Sequence, residues 1–377
     1  MQNHKLLFYI FFITSLFSNL SFANKTLELL DLPAINSKLA IKSVMTSLVK
    51  SHDGVIAMGE RGHILTTDIN NDWLQDKVPV SVTLTAATVL SDGTKVAVGH
   101  DSIILISPAK SNEWKKVFTG HDLLRLKTSY FKKEILALKN ILTKTTDEGE
   151  KETLIYQLED LNFTIEDIEN DQSFGPNKPL LSIVSTLNDI LFATGAYGTL
   201  LTSTDKGLSW KLVEDRLNNP DKFHLNSITS VNEQLYIVGE NGLGFKSTNE
   251  GLAWTEMAMP YSGTLFGIIS NANVHIKETQ LVAFGLKGNI MVSLDSGDSW
   301  SLQKNASSVS LLGGYITPSN QVYLVGHGGI VVDFNLNNLV QHNIQRHPSG
   351  AAFSSVLVQN NRLILAGQFG IMHLNLK

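Results

Sequence analysis

Several acidic side chains stand where they could do chemistry. Glu60, Asp101 and Glu240 each fall in a short turn between apolar runs. Two carboxylates held across a cleft can serve as the acid and base of glycoside hydrolysis. Asp205 and Asp295 recur in a fixed setting, Ser-x-Asp-x-Gly-x-x-Trp, and invite a reading as catalytic or metal-binding groups. Of the eleven histidines, His63, His100, His224 and His327 lie nearest the turns. None forms a His-x-x-x-His or His-Glu-x-x-His pattern, so no metal site is expected. With no cysteine in the chain, disulfides, thiolate metal sites and cysteine nucleophiles are excluded. A nucleophilic serine has no Gly-x-Ser-x-Gly to hold it. No cofactor and no catalytic residue is expected.

The elements that must position these groups argue for a structural role. Ser203, Asp205, Gly207 and Trp210 are matched by Ser247, Asn249, Gly251 and Trp254, and again by Ser293, Asp295, Gly297 and Trp300. In such a turn the Asp or Asn side chain accepts hydrogen bonds from nearby backbone N–H groups, and glycine takes a left-handed position. The tryptophan opens the next strand and covers the turn. Worn copies survive around Asp68 to Trp73 and Ser107 to Trp114. Identical turns in separate repeats point to architecture rather than to an active site.

A second unit recurs more often: an apolar run, Gly-x-x-Gly, then another apolar run. Its first glycines are Gly59, Gly195, Gly239, Gly285, Gly326 and Gly367, with a degenerate copy at Gly99 where Ser102 replaces the second glycine. Two strand-like runs around a tight turn make a β-hairpin, with glycine expected to supply the φ > 0 positions. Six spacings of 40, 96, 44, 46, 41 and 41 residues fit a four-stranded propeller blade. The Ser-x-Asp-x-Gly-x-x-Trp turn resembles the Asp-box of BNR-type propellers. The expected fold is an all-β, seven-bladed β-propeller of the sialidase-like superfamily. In the best copy the strands read Asn226 to Val231, Gln234 to Val238, Gly244 to Ser247 and Trp254 to Met257. The last repeat lacks an outer strand, and Thr26 to Leu32 is expected to supply it and close the ring.

The chain has 377 residues, 43% hydrophobic and 17% charged, with a net charge of −5. That composition is ample for a large core and excludes a disordered chain. No basic field is present to bind nucleic acid. Residues 1–23 read as a signal peptide: Lys5, an apolar run from Leu6 to Phe17, and small residues in Ser21-Phe22-Ala23 for a cut after Ala23. The apolar run is short for a membrane span, the alternative reading. The mature chain, 24–377, is expected to be exported, periplasmic or secreted, and without a span of its own. The 96-residue spacing holds an insertion over 120–179. Leu123, Leu124, Phe131, Ile135, Leu138, Ile141 and Leu142 follow helical spacing, and Glu152 to Asp160 is a second helix-like run after a polar turn at Thr145 to Glu150. A helical hairpin is expected, the alternative being a worn eighth blade.

The insertion links an outer strand to the next inner strand. In a propeller that connection shares a face with the Gly-x-x-Gly turns and lies opposite the Asp-boxes. The candidate binding face therefore carries Glu60, Arg61, His100, Asp101, Tyr197, Glu240, Asn241, Lys287, His327 and Phe369, with His224 just before an inner strand. Loops on a rigid scaffold are where recognition usually resides.

The combination resembles the photosystem II stability/assembly factor propellers, a branch of the BNR-repeat superfamily with many relatives in non-photosynthetic bacteria. The residues that carry the resemblance are Pro179-Leu180-Leu181, Gly195-Ala196-Tyr197-Gly198-Thr199-Leu200-Leu201, the Asp-box ending at Trp210, and His224-Leu225-Asn226. It implies a seven-bladed propeller that binds a protein and catalyses nothing. In the photosynthetic members the partner is a newly made photosystem II reaction-centre protein, and an arginine-rich face is associated with that role. This sequence departs from the pattern, with five scattered arginines: Arg61, Arg125, Arg216, Arg346 and Arg362. The competing reading is a glycosidase or carbohydrate-binding propeller. A sialidase needs three clustered arginines and a Tyr–Glu nucleophile pair. A two-carboxylate glycosidase stays open, because Glu60, Asp101 and Glu240 share one expected face. The expected partner is a protein, an integral membrane complex in its assembly or working cycle, bound by a monomeric propeller.

Overall fold

The computed structural model of the chain describes residues 28–67, 72–271, 279–303 and 307–376. The expected signal peptide and its cleavage point lie outside these residues, as do Thr26 and most of the worn Asp-box at Asp68. Seven antiparallel sheets follow one another along the chain, six of four strands and the last of three. Blade 4 comprises Leu225–Val231, Gln234–Gly239, Gly244–Ser247 and Thr255–Glu256, from inner to outer strand. Helices α1 (Gly120–Leu142) and α2 (Glu148–Phe174) stand between blades 2 and 3. The fold is the expected seven-bladed β-propeller with a helical hairpin, and no eighth blade. The second helix is much longer than the Glu152 to Asp160 run suggested, because its outward face is acidic and masks the apolar repeat.

Each blade's second strand is buried along nearly its whole length, as in Lys95–Gly99 and Leu191–Gly195. A middle strand has a neighbouring blade on each side, so both of its faces are apolar. One apolar cluster fills each of the seven junctions. Val282, Phe284 and Ile290 of blade 5 meet Leu311, Val322 and Leu324 of blade 6 in this way.

The inner strands are Met45–Ser51, Leu84–Val89, Leu180–Ser185, Leu225–Val231, Leu265–Ser270, Leu311–Ile316 and Phe353–Gln359. In each, the first residue pairs with the first glycine of the turn, and the register then slips by one residue. The bulged residue reaches into the next blade where it is polar. Thr46 Oγ1 donates to Leu84 O at 2.6 Å, Thr85 Oγ1 to Leu180 O at 2.7 Å and Asn226 Nδ2 to Leu265 O at 2.8 Å. The following residue is small in every blade: Ser47, Ala86, Ser182, Ser227, Gly267, Gly313 and Ser355. Ser182 Oγ accepts from Ile228 N and Ser227 Oγ from Ile268 N, both at 3.3 Å. A Cβ on Gly313 would lie 2.2 Å from Ser354 O.

The ring closes through the same joint. Ser354 Oγ donates to Met45 O at 2.9 Å, and Leu48 N donates to Ser355 Oγ at 3.1 Å. Ala40, Met45 and Leu48 pack on Leu357, Ile364 and Ala366. The expected closing strand at Thr26 to Leu32 is therefore corrected. Its described part contains a 3-10 turn, Leu29–Asp31, whose Leu30 is buried between blades 1 and 2. Leu29 O accepts from Ser81 N at 2.9 Å, which holds the segment away from blade 7.

The Gly-x-x-Gly turns also differ from expectation. The first glycine is extended, with φ −171° at Gly59, and its role is close approach: a Cβ there would sit 2.0 Å from Val44 O. The left-handed positions are the third and fourth, φ 55° at Arg61 and 70° at Gly62. Six of the turns are single 3-10 turns, and Ser102 adopts the same left-handed geometry with φ 49°. The seventh, from Gly367 to Gly370, is a two-residue hairpin turn.

The Asp-boxes are built as the sequence pattern requires. Asp205 Oδ1 accepts from Ser209 N at 2.9 Å, Ser203 Oγ accepts from Gly207 N at 2.9 Å, and Trp210 Nε1 donates to Gly207 O at 3.0 Å. Asn249 and Asp295 accept from Ala253 N and Ser299 N in the same way, each at 2.9 Å. Each box also grips the preceding blade. A Cβ on Gly251 would lie 2.3 Å from the Phe192 ring, and Lys206 Nζ is 2.5 Å from Asp92 Oδ2. In the worn box of blade 2 the buried Trp114 donates instead to Asp76 Oδ2 of blade 1, at 2.9 Å.

Two outcomes follow from these joints. Gly313→Val should destabilise the protein by about 1–3 kcal/mol, because the added side chain forces adjoining backbones apart; an unchanged urea midpoint would refute the close approach of the inner strands. The second concerns acid. The Lys206 hydrogen bond holds Asp92 down to about 2, and hydrogen bonding by Ser209 lowers Asp205. A carboxylate depressed in the fold stabilises it fully above the ordinary value of 3.8, and that contribution is lost as pH falls toward about 2. The melting temperature should drop over this window, and Asp92→Asn should be less stable at neutral pH with a shallower acid decline. Parallel curves for the two proteins would contradict the assignment.

Candidate binding face

The turns between second and third strands and the links between blades emerge at one end of the propeller, opposite the Asp-boxes, because the strands of each sheet alternate in direction. The hairpin is rooted on this face. Helix α1 starts directly after the outer strand Lys115–Phe118, and Asp122 Oδ2 accepts from Thr119 N and Oγ1, both at 2.9 Å, as a capping box. Leu123 enters the cluster between blades 2 and 3. One turn on, Lys127 Nζ lies 3.3 Å from Glu214 Oε2 and 3.3 Å from Thr199 Oγ1. Glu214 Oε1 is 3.2 Å from Lys222 Nζ. The Lys127 and Glu214 side chains are buried at 12% and 4% exposure, so the pair is clamped between helix and propeller. Burial pushes the Lys127 amine down, and the facing Glu214 carboxylate opposes that shift.

From the base of the hairpin a line of groups crosses to blade 4. Asp171 near the end of α2 pairs with Lys178. Lys178 Nζ sits over the Tyr197 ring, 4.9 Å from its centre, and Tyr197 lies 4.9 Å from the His224 ring. His224 Nδ1 is 2.7 Å from Glu240 Oε2, which also accepts from His224 N at 2.8 Å. Three of these residues, Tyr197, His224 and Glu240, are sequence-predicted face residues that the fold brings together. Asp171 and Lys178 were not anticipated; they belong to the insertion and its exit, where no repeat copy marks their place.

The remaining candidates are spread around the ring. Glu60 Oε1 accepts from Val44 N at 3.2 Å, as Glu240 does from His224 N. Gln368 Oε1 does the same for Ala352 N at 3.4 Å in blade 7. Position two of the turn thus caps the amide ahead of the inner strand in three blades, and both glutamates are engaged in that way. His100 is exposed, and Asp101, beside Glu28 and His121, is raised by burial. Asn241, Lys287, His327 and Phe369 are exposed tips of blades 4, 5, 6 and 7, too scattered to form one cluster. His63 is buried, and burial lowers its pKa. Among the described residues no group of three or more His, Asp or Glu side chains is placed to hold a metal ion.

A groove of about 850 Å³ opens where residues 29–43 cross blade 1. Leu29, Ile35 and Leu39 wall it and are 55%, 72% and 65% exposed, with Lys42, Glu60 and Arg61 at the rim. Its apolar walls and sparse polar rim suit the side chains of a bound peptide. Sequence reading missed it because the arm was assigned to blade 7.

Fold and face together define a seven-bladed β-propeller whose one elaborated face suits binding. No protein-family model matches the sequence, and no curated protein sequence matches it. Solved propellers do resemble it in shape. YCF48 from Cyanidioschyzon merolae has a TM-score of 0.56 at 12% identity, covering 90% of this chain and 97% of its own. A structure of YCF48 bound to D1 peptide has 0.57 at 13% identity, covering 92% and 99%. The WD40 repeats of RRP9 have 0.62 at 11% identity, covering 92% and 97%. At these identities the likeness is one of fold.

The buried pair under the hairpin makes a sharp prediction. Lys127→Met should cost about 3 kcal/mol, the lower part of the range for stranding a buried charge, since Lys222 remains beside Glu214. Lys127→Met with Glu214→Leu should recover most of that loss. Denaturant midpoints decide it, and a double variant no more stable than the single one would remove the pair from the account.

Proposed function

We propose that this protein is a non-catalytic propeller that presents its hairpin-bearing face to a protein partner. The observation that carries the reading is the rigid attachment of the hairpin. The Lys127–Glu214 pair fixes its base, and the line from Asp171 to Glu240 joins it to blades 3 and 4. A helical element held this firmly in front of a scaffold is suited to recognition. YCF48, a propeller of similar fold, has been solved bound to D1 peptide, which supports a protein as the ligand class. Among the described residues no helix is long and apolar enough to cross a membrane. The client proposed is an integral membrane complex during assembly or operation, met by an exported propeller.

Glu60 and Glu240 cap backbone amides, which supports binding over glycoside hydrolysis. Replacing 120–179 by a short linker should abolish recovery of the client from detergent-solubilised membranes. Lys178→Ala with Tyr197→Ala should weaken it while circular dichroism stays unchanged. A client retained by both variants would overturn the role of this face. Turnover of a glycoside panel that vanishes in Glu60→Gln or Glu240→Gln would overturn the non-catalytic reading.

A further inference from the structure

Helix α2 is apolar on two opposite sides. Leu154, Leu158, Leu161, Ile165 and Ile168 face α1 and are buried or half-buried. On the outward side Tyr156 and Phe163, two turns apart, are 62% and 65% exposed. Helical geometry places Glu152, Glu159, Glu166 and Asp167 along the same stripe, and all four are exposed. Over its length α2 carries nine acidic residues and a single lysine, Lys151. Two exposed aromatics aligned on one acidic stripe combine an apolar anchor with charge, the composition of a contact surface.

The charge selects the occupant. A second copy of the same helix would set acid against acid, and an anionic lipid surface or a nucleic acid would meet the same repulsion. A segment that offers apolar side chains to Tyr156 and Phe163 and lysine or arginine to the glutamates fits both features. We propose that the outward face of α2 is a docking surface for a basic amphipathic helix of the protein partner. The inference rests on the protein-binding reading above and names the partner's chemistry.

The test uses the chain from residue 24 onward and three labelled peptides of one length: leucine with lysine at helical spacing, leucine with glutamate, and leucine with glutamine. Fluorescence anisotropy should show tightest binding of the lysine peptide, weakened by added salt as surface charge pairs are screened. Tyr156→Ser with Phe163→Ser should weaken that binding by about tenfold, the order expected when aromatic anchors are truncated. Both residues are exposed, so the fold should survive, as circular dichroism would verify. Glu152→Lys with Glu159→Lys and Glu166→Lys should transfer preference to the glutamate peptide. Equal binding of the three peptides, or undiminished binding by the serine variant, would overturn the proposal. A client lost on deletion of the hairpin but kept by the serine variant would sink this inference alone, whereas a client kept by both would sink the proposed function.

Discussion

The convergence of seven inner strands on one axis constrains everything else in this structure. The strands approach so closely that the third residue of each is Ser, Ala or Gly, and a Cβ at Gly313 would meet the next strand's backbone. Backbone groups brought that near must be paired, because a buried amide without a partner costs about as much as a lost hydrogen bond. The register slip at the start of each strand supplies the pairing. It turns one side chain sideways, so that Thr46, Thr85, Asn226 and Ser354 bond the neighbouring blade, the three hydroxyls while also reaching a carbonyl of their own. Blades 3, 5 and 6 place Leu181, Phe266 and Leu312 at that position; blade 3 is still joined to blade 4 through Ser182, and blades 5 and 6 rely on apolar packing.

Ring closure follows from this joint. In a propeller joined mainly through its outer strands, a three-stranded final blade would be a weak point. Here the contact from blade 7 to blade 1 repeats the hydroxyl bonds and the apolar cluster found elsewhere, so the N-terminal arm is released for another use. It crosses blade 1, buries Leu30 and leaves a groove on the face of the Gly-x-x-Gly turns. A second close approach, inside each blade, explains the first glycine of each turn, which is extended and faces the carbonyl just ahead of its own inner strand.

Legibility of the sequence tracked locality. The repeat, the blade strands, the Asp-boxes and the hairpin could be read because each is set by residues within about ten positions of one another. The opposing carbonyl at Gly59 belongs to Val44, fifteen residues away, so the turn itself suggested only a need for positive φ. The Lys127–Glu214 pair spans two elements with no shared period, and neither residue stands out from the charged ones around it. Lys178 was invisible for the same reason, whereas Tyr197 and His224 were found because they sit at repeat positions.

The two faces of the ring differ in how freely they can change. On the Asp-box face, each box is locked to the blade before it: Gly251 against Phe192, Lys206 against Asp92, and Glu250 accepting from Asn188 Nδ2. A longer loop there would pull apart two blades at once. On the other face the links run from an outer strand, at the rim, to the next inner strand, at the axis. Such a link can lengthen outward while the joints near the axis stay intact, since the entropy of closing a loop rises only slowly with its length. The one large insertion among the described residues occupies such a link, and the N-terminal arm lies on the same side. Added structure is thus carried on the face where the scaffold tolerates it, and the repeated geometry of the inner joint is what leaves that face free to carry it.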